Sequence, residues 1–122
     1  MTTHRFVATE WHNVLGTRPP AFTIASGDTV ITETLDAWGF DKDGVQRQPG
    51  PNPMNGPIFI EGAAPGDALK VEILRMTPNR ATGWTRSSLA GNVVDPESVR
   101  ELPSREAANW SIDRQAGTAQ LQ

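Results

Sequence analysis

Pro49-Gly50-Pro51-Asn52-Pro53 constrains this chain more than any other stretch. Proline fixes φ and removes a backbone donor, so Pro49, Pro51 and Pro53 exclude the interior of a helix or a sheet. The residues around it, Trp38 to Pro53, read as one long loop that also holds Gly39 and Asp41-Lys42-Asp43-Gly44. Similar punctuation recurs along the 122 residues, which carry 11 Gly and 10 Pro. No long apolar run at helical spacing offsets it. Short strands and many turns are therefore expected, in one modest domain with a single core.

Composition removes several classes of function. Cysteine is absent, which excludes disulfides, a thiol nucleophile and cysteine-based zinc sites. The formal net charge is −3 and the 11 Lys and Arg are scattered. Neither nucleic acid nor a membrane is expected as a partner. No apolar run reaches the roughly 20 residues of a membrane span. The N-terminus MTTHRFVATEW lacks the apolar stretch of a secretory signal, and a cytoplasmic location is expected.

Strand signals are spread along the chain. Phe6 and Val7 suggest an edge strand before the extended Pro19-Pro20 connector, and residues 21–24 a short strand. Ser26-Gly27-Asp28 is a turn in which Asp can bond back to the backbone. Residues 29–35, rich in Thr, Val and Ile, form the next strand. Residues 57–61 and 68–76 read as two strands around a Gly/Pro/Asp turn, a hairpin. In the second, Leu69, Val71 and Ile73 alternate with Lys70, Glu72 and Leu74, the period of a half-buried strand. Asp95-Pro96-Glu97 predicts a helix of about two turns, ended by Pro103. Residues 109–112 and 118–122 are hairpin arms, the second running into the C-terminus. A domain that stops in a strand is often a fragment, or pairs that strand with another chain. GDTVITE (27–33) and GDALKVE (66–72) echo each other, either as a duplicated unit or as two common turns. The fold class expected is mainly β, an antiparallel β-sandwich or jelly-roll with at most one or two short helices.

Local signals for chemistry are sparse. Ser87-Ser88 in GWTRSSLAG superficially resembles a Ser-rich amidase motif, but there is no G-x-S-x-G elbow, no S-x-x-K and no Lys after Lys70. His4 and His12 would share a face of one regular strand, yet surface or turn-stabilising roles suit them better than zinc binding. Asp41-x-Asp43-Gly44 holds part of a calcium-loop pattern and lacks its later ligands, so a turn is the reading there. The widely spaced Trp11, Trp38, Trp84 and Trp110 suit a core or a lid. More informative are Asp36 and Glu61, each at the end of an expected strand. A carboxylate there can reach a cleft while the sheet fixes its backbone, although most such groups are solvated or cap turns.

SGDTVITETLDA (26–37), NPMNGPIFIEGAAPGDALKVEI (52–73) and TGWT (82–85) together resemble the N-terminal part of the acetamidase/formamidase family. That pattern joins a Gly-Asp strand to an acidic -DA- dipeptide. A Pro-rich loop follows, and then N-P-x-x-G-P-[IV]-x-[IV]-E-G-A-x-x-G-D-x-L-x-V-x-I. The resemblance spans nearly all of this chain but well under half of the family's usual length. The family's later Gly-, Asp- and His-rich motifs are absent. It implies hydrolysis of small aliphatic amides to a carboxylate and ammonia, by water activated on zinc or another divalent metal. Carried over onto this sequence, Asp36 becomes a metal ligand or water-orienting group. Glu61 becomes a general acid/base or a support for one, and Asn52 a further candidate. The partners implied are a small amide, the missing C-terminal portion of the family (in the same gene or as a separate chain) and further copies in a homo-oligomer. This chain alone is expected to be inactive. The alternative is a catalytically silent β module for assembly or ligand binding.

Overall fold

The computed structural model describes residues 1–86, 91–102 and 106–122. The chain is mainly β, and its only helical pieces among the described residues are two 3₁₀ turns, Gly91–Val93 and Val99–Glu101. It divides into two compact units, Met1–Ile73 and Leu74–Gln122. No helix among the described residues is long and apolar enough to cross a membrane.

The first unit holds β1 (Thr3–Phe6), β2 (Phe22–Ile24), β3 (Thr29–Thr32) and β4 (Ile58–Ile60). β1 pairs with β3, Thr3 opposite Thr29, and β2 with β4, Phe22 opposite Ile58. Both pairs are parallel, which corrects the antiparallel pairing expected here. The reason lies in the Gly-Asp turn. β2 and β3 are joined by four residues yet lie in different sheets, so the turn carries the chain from one layer to the next instead of closing a hairpin. The layers meet through Phe22, whose ring stacks on Phe6 at 4.8 Å and lies 5.9 Å from His4.

The hairpin of 57–61 with 68–76 does not form. β4 is committed to β2, Glu61 extends that ladder by donating to Ile24 O (2.8 Å), and residues 61–81 contain no strand. An alternating segment becomes a strand only where a neighbour satisfies its backbone and a surface covers its apolar side. Residues 68–76 find neither among the described residues, and their side chains are exposed.

The second unit is an antiparallel meander of β5 (Thr82–Arg86), β6 (Ala107–Asp113) and β7 (Thr118–Leu121). The terminal hairpin forms as its sequence predicts, with Asp113 opposite Thr118. β6 alternates between exposed and half-buried positions along its whole length. The helix expected from Asp95 is instead two tight turns, in which Ser98 N donates to Asp95 O and Glu101 N to Ser98 O. A run this short cannot offset the cost of nucleating an α-helix. Pro103, expected to end it, lies outside the described residues.

Candidate functional site

The Pro-rich loop and the -DA- turn are built against each other. Asp36 closes its own turn: Oδ1 accepts Trp38 N at 2.9 Å and Phe40 N at 3.0 Å, while its carbonyl accepts Gly39 N. This is the side-chain-to-backbone bonding that makes Asp a turn residue. Gly39 is buried with φ +85°, and a Cβ there would land on the Gln48 carbonyl oxygen. Next in the chain, Ala37 O accepts Asn52 N at 2.7 Å. Asn52 is itself left-handed, at φ +52°, and exposed. Gly50 fits because a Cβ would sit 2.9 Å from Ala37 O and from Trp38 Cα.

Two asparagines fix this loop from other sides. Asn13 Nδ2 donates to Pro49 O (3.0 Å) and Pro51 O (2.8 Å), and its Oδ1 accepts Gln48 Nε2 (2.9 Å). Asn55 Nδ2 donates to Thr32 Oγ1 (2.9 Å) and Glu33 O (2.7 Å). The proline-rich backbone has carbonyls to offer and few donors, so amide side chains supply the missing half. A bridge between His12 and Met54 lies between these two anchors, and Trp11 Nε1 and Asn55 Oδ1 are buried without hydrogen bonds.

Asp36 and Asn52 are thus brought together through Ala37. Glu61 lies at the far end of β4, exposed, and its carboxylate takes no hydrogen bond or ion pair among the described residues. Sequence reasoning missed Asn13 and Asn55. Asn55 stands inside the NPMNGP motif, which is the signal that could have found it, whereas nothing adjacent to Asn13 signals its role.

The histidines separate as their sequence context suggested. β1 ends at Phe6, so His4 and His12 do not share one strand. His4 Nε2 lies 2.9 Å from Asp28 Oδ2, and the same carboxylate takes Thr2 N (2.7 Å) and Ala25 N (3.1 Å). The His4 bond first, then the two backbone amides, lower the Asp28 pKa to about 2. Asp41 forms a turn as well. Its Oδ1 takes Asp43 N and Val45 N, and Arg47 Nε lies 2.6 Å from Oδ2. The Val45 amide and then Arg47 hold its carboxyl below the usual range. Trp38 is 40% exposed, and Trp110 Nε1 donates to Thr85 Oγ1 at 3.0 Å. Ser87 and Ser88 lie outside the described residues.

A divalent metal needs several converging donors. No group of three or more His, Asp or Glu converges among the described residues. One oxygen of Asp36 already holds two backbone amides. The donor set here does not by itself fit a metal site. No protein-family model, curated protein or solved structure matches this chain.

Proposed function

We propose that this chain is the N-terminal β portion of a cytoplasmic amidohydrolase of the acetamidase/formamidase type, acting on small aliphatic amides. The observation that carries the reading is the long motif at 52–73 together with the -DA- dipeptide at 36–37. The two stretches touch, since Asn52 N donates to Ala37 O. The resemblance implies water as the nucleophile, and the chain has neither a cysteine nor an S-x-x-K pair to compete with it. The Glu61 carboxylate, exposed and unengaged, takes a proton from that water as its oxygen bonds to the amide carbon. It returns the proton to nitrogen as the C–N bond breaks, releasing ammonia and the carboxylic acid. Asn52, on the proline loop and not beside Glu61, is a further candidate from the same resemblance, as a hydrogen-bond donor to the oxyanion. Asp36 remains the candidate metal ligand, but a zinc or other divalent shell needs donors from further polypeptide. The chemistry assigned to this chain therefore stops at its own groups.

The test is ammonia release from formamide and acetamide, with and without zinc, by the chain alone and mixed with any polypeptide that co-purifies with it. Activity is expected only in the mixture, and Glu61→Gln should lower kcat there by about 100-fold with the fold intact. Unchanged turnover removes Glu61 from the mechanism. No hydrolysis in either preparation favours the second reading, a silent β module for assembly or ligand binding. The exposed apolar residues between Leu69 and Met76 support that reading.

A further inference from the structure

An antiparallel bridge ties the chain before the proline loop to the chain after it. His12 N donates to Met54 O (3.1 Å) and Met54 N to His12 O (2.9 Å). The next pair outward is Trp11 opposite Asn55. Beside a hydrogen-bonded pair lies a non-hydrogen-bonded one, whose facing side chains are the closest in a ladder, with Cβ atoms about 4.5–5.5 Å apart. Each of these two side chains carries a polar atom that is buried and has no partner among the described residues, Trp11 Nε1 and Asn55 Oδ1. The two are of opposite kind, since the indole nitrogen only donates and the carboxamide oxygen only accepts.

Their surroundings match neither. Asn55 Nδ2 gives its two protons to Thr32 Oγ1 (2.9 Å) and Glu33 O (2.7 Å). Turning the amide over would set Oδ1 against the Glu33 carbonyl, so the oxygen is fixed as an acceptor. Pro53 and Pro57, two residues to either side, have no N–H to offer it. Trp110 shows the ordinary arrangement, its Nε1 donating to Thr85 Oγ1 at 3.0 Å. A buried polar atom left unmatched is costly. Here a donor and an acceptor are both unmatched within one cross-strand pair. A single molecule with an acceptor and a donor on neighbouring atoms relieves both.

We propose that Trp11 and Asn55 form a binding site for a primary carboxamide. Its carbonyl oxygen accepts from the indole N–H and its NH2 group donates to Asn55 Oδ1. A carboxylate or a tertiary amide lacks the donor, and an ammonium ion lacks the acceptor. Trp11 as a whole is half-buried, so its ring keeps a solvent side from which the edge lifts to admit the ligand. Asn55 precedes β4 and Glu61 follows it, so an amide held here is not one that Glu61 acts on. The site is one of recognition. It does not rest on the amidohydrolase reading, and binding is read on the chain alone, where no turnover is expected.

The probe is acetamide, titrated into the full chain labelled with nitrogen-15. At millimolar acetamide the Trp11 indole N–H signal should shift and saturate, with those of Trp84 and Trp110 unmoved. N,N-dimethylacetamide keeps the acceptor and lacks the donor, and should bind about tenfold more weakly. The Trp11 indole proton should exchange freely with solvent in the free chain and about tenfold more slowly with acetamide bound. Trp11→Phe keeps a ring and removes the N–H, and should abolish the acetamide-dependent shift of the Asn55 side-chain amide. Should that variant disturb the fold, the contrast between the two amides on the wild type decides. No shift at Trp11, or an equal shift with both amides, overturns the proposal. So does a Trp11 indole proton that resists exchange without acetamide, because the two atoms would then be satisfied by each other or by one enclosed water.

Discussion

The two units reach β structure by opposite routes. In Leu74–Gln122, neighbouring strands in sequence pair with each other, and β6 is held on both edges, by β5 and by β7. In Met1–Ile73, strands of three or four residues pair across long loops, Thr3 with Thr29 and Phe22 with Ile58. Ladders that short carry few bonds, and side chains fasten the ends: Asp28 at β1, Asp36 and Asn13 at the proline loop, Asn55 at β3. The first kind of unit depends on its strands, the second on its turns. Damage to a turn should therefore fell one unit and barely mark the other.

Gly39→Ala should give the largest effect. The new methyl meets backbone at Gln48, which cannot step aside as a side chain can, and φ +85° is disfavoured for alanine. A loss of about 4 kcal/mol or more is expected for the first unit. Amide exchange should show protection gone from β1 to β4 and retained in β5 to β7. Loss in both units together would break the comparison.

This contrast also explains which parts could be read from sequence. The terminal hairpin was legible because its turn, Asp113 to Gly117, and both arms are contiguous, so local chemistry fixes the register. The Gly27-Asp28 turn was legible for the same reason. The direction of pairing in the first unit was not. Nothing local to Phe22 reveals that its neighbour is Ile58, and a Gly-Asp turn reads alike whether it closes a hairpin or crosses between layers. Alternation at 68–76 described what that segment is suited to do, and its pairing depends on a neighbour that local sequence does not name. At the candidate site, Asp36 was visible as an acid after a strand, but its engagement with the Trp38 and Phe40 amides belongs to the three-dimensional turn. Asn13 was invisible because its partners, Pro49 and Pro51, lie far along the chain.

Asp28→Ala should come next in size. It removes the acceptor shared by Thr2 N, Ala25 N and His4, so β1 loses its fastening to the turn before β3. Exchange at residues 3–6 should accelerate, with β6 unaffected. Acid gives the same result without mutation. The folded pKa of about 2 lies below the unfolded 3.8. The stabilisation is thus complete above the unfolded value and is lost as pH falls through the folded one. Signals of Thr3 to Phe6 followed by NMR should change between pH 4 and 2 in the wild type. In Asp28→Ala this step should be absent.

Asp113→Ala should give the smallest effect, although its chemistry resembles that of Asp28. The Asp113 carboxylate accepts Gln115 N and Ala116 N, both at 2.9 Å, and the Ala116 amide followed by the Gln115 amide lowers its pKa. These bonds stay within the turn, whereas Asp28 joins two segments that nothing local brings together. With the carboxylate gone, the exposed amides of Gln115 and Ala116 can bond to water, and Gly117 keeps its left-handed conformation at φ +67°. The ladder from Trp110–Leu121 to Asp113–Thr118 still sets the register. Exchange in β6 and β7 should therefore change less than exchange in β1 does with Asp28→Ala. An equal or larger loss in the hairpin would mean that the second unit also depends on its turns, and the distinction between the units would fall.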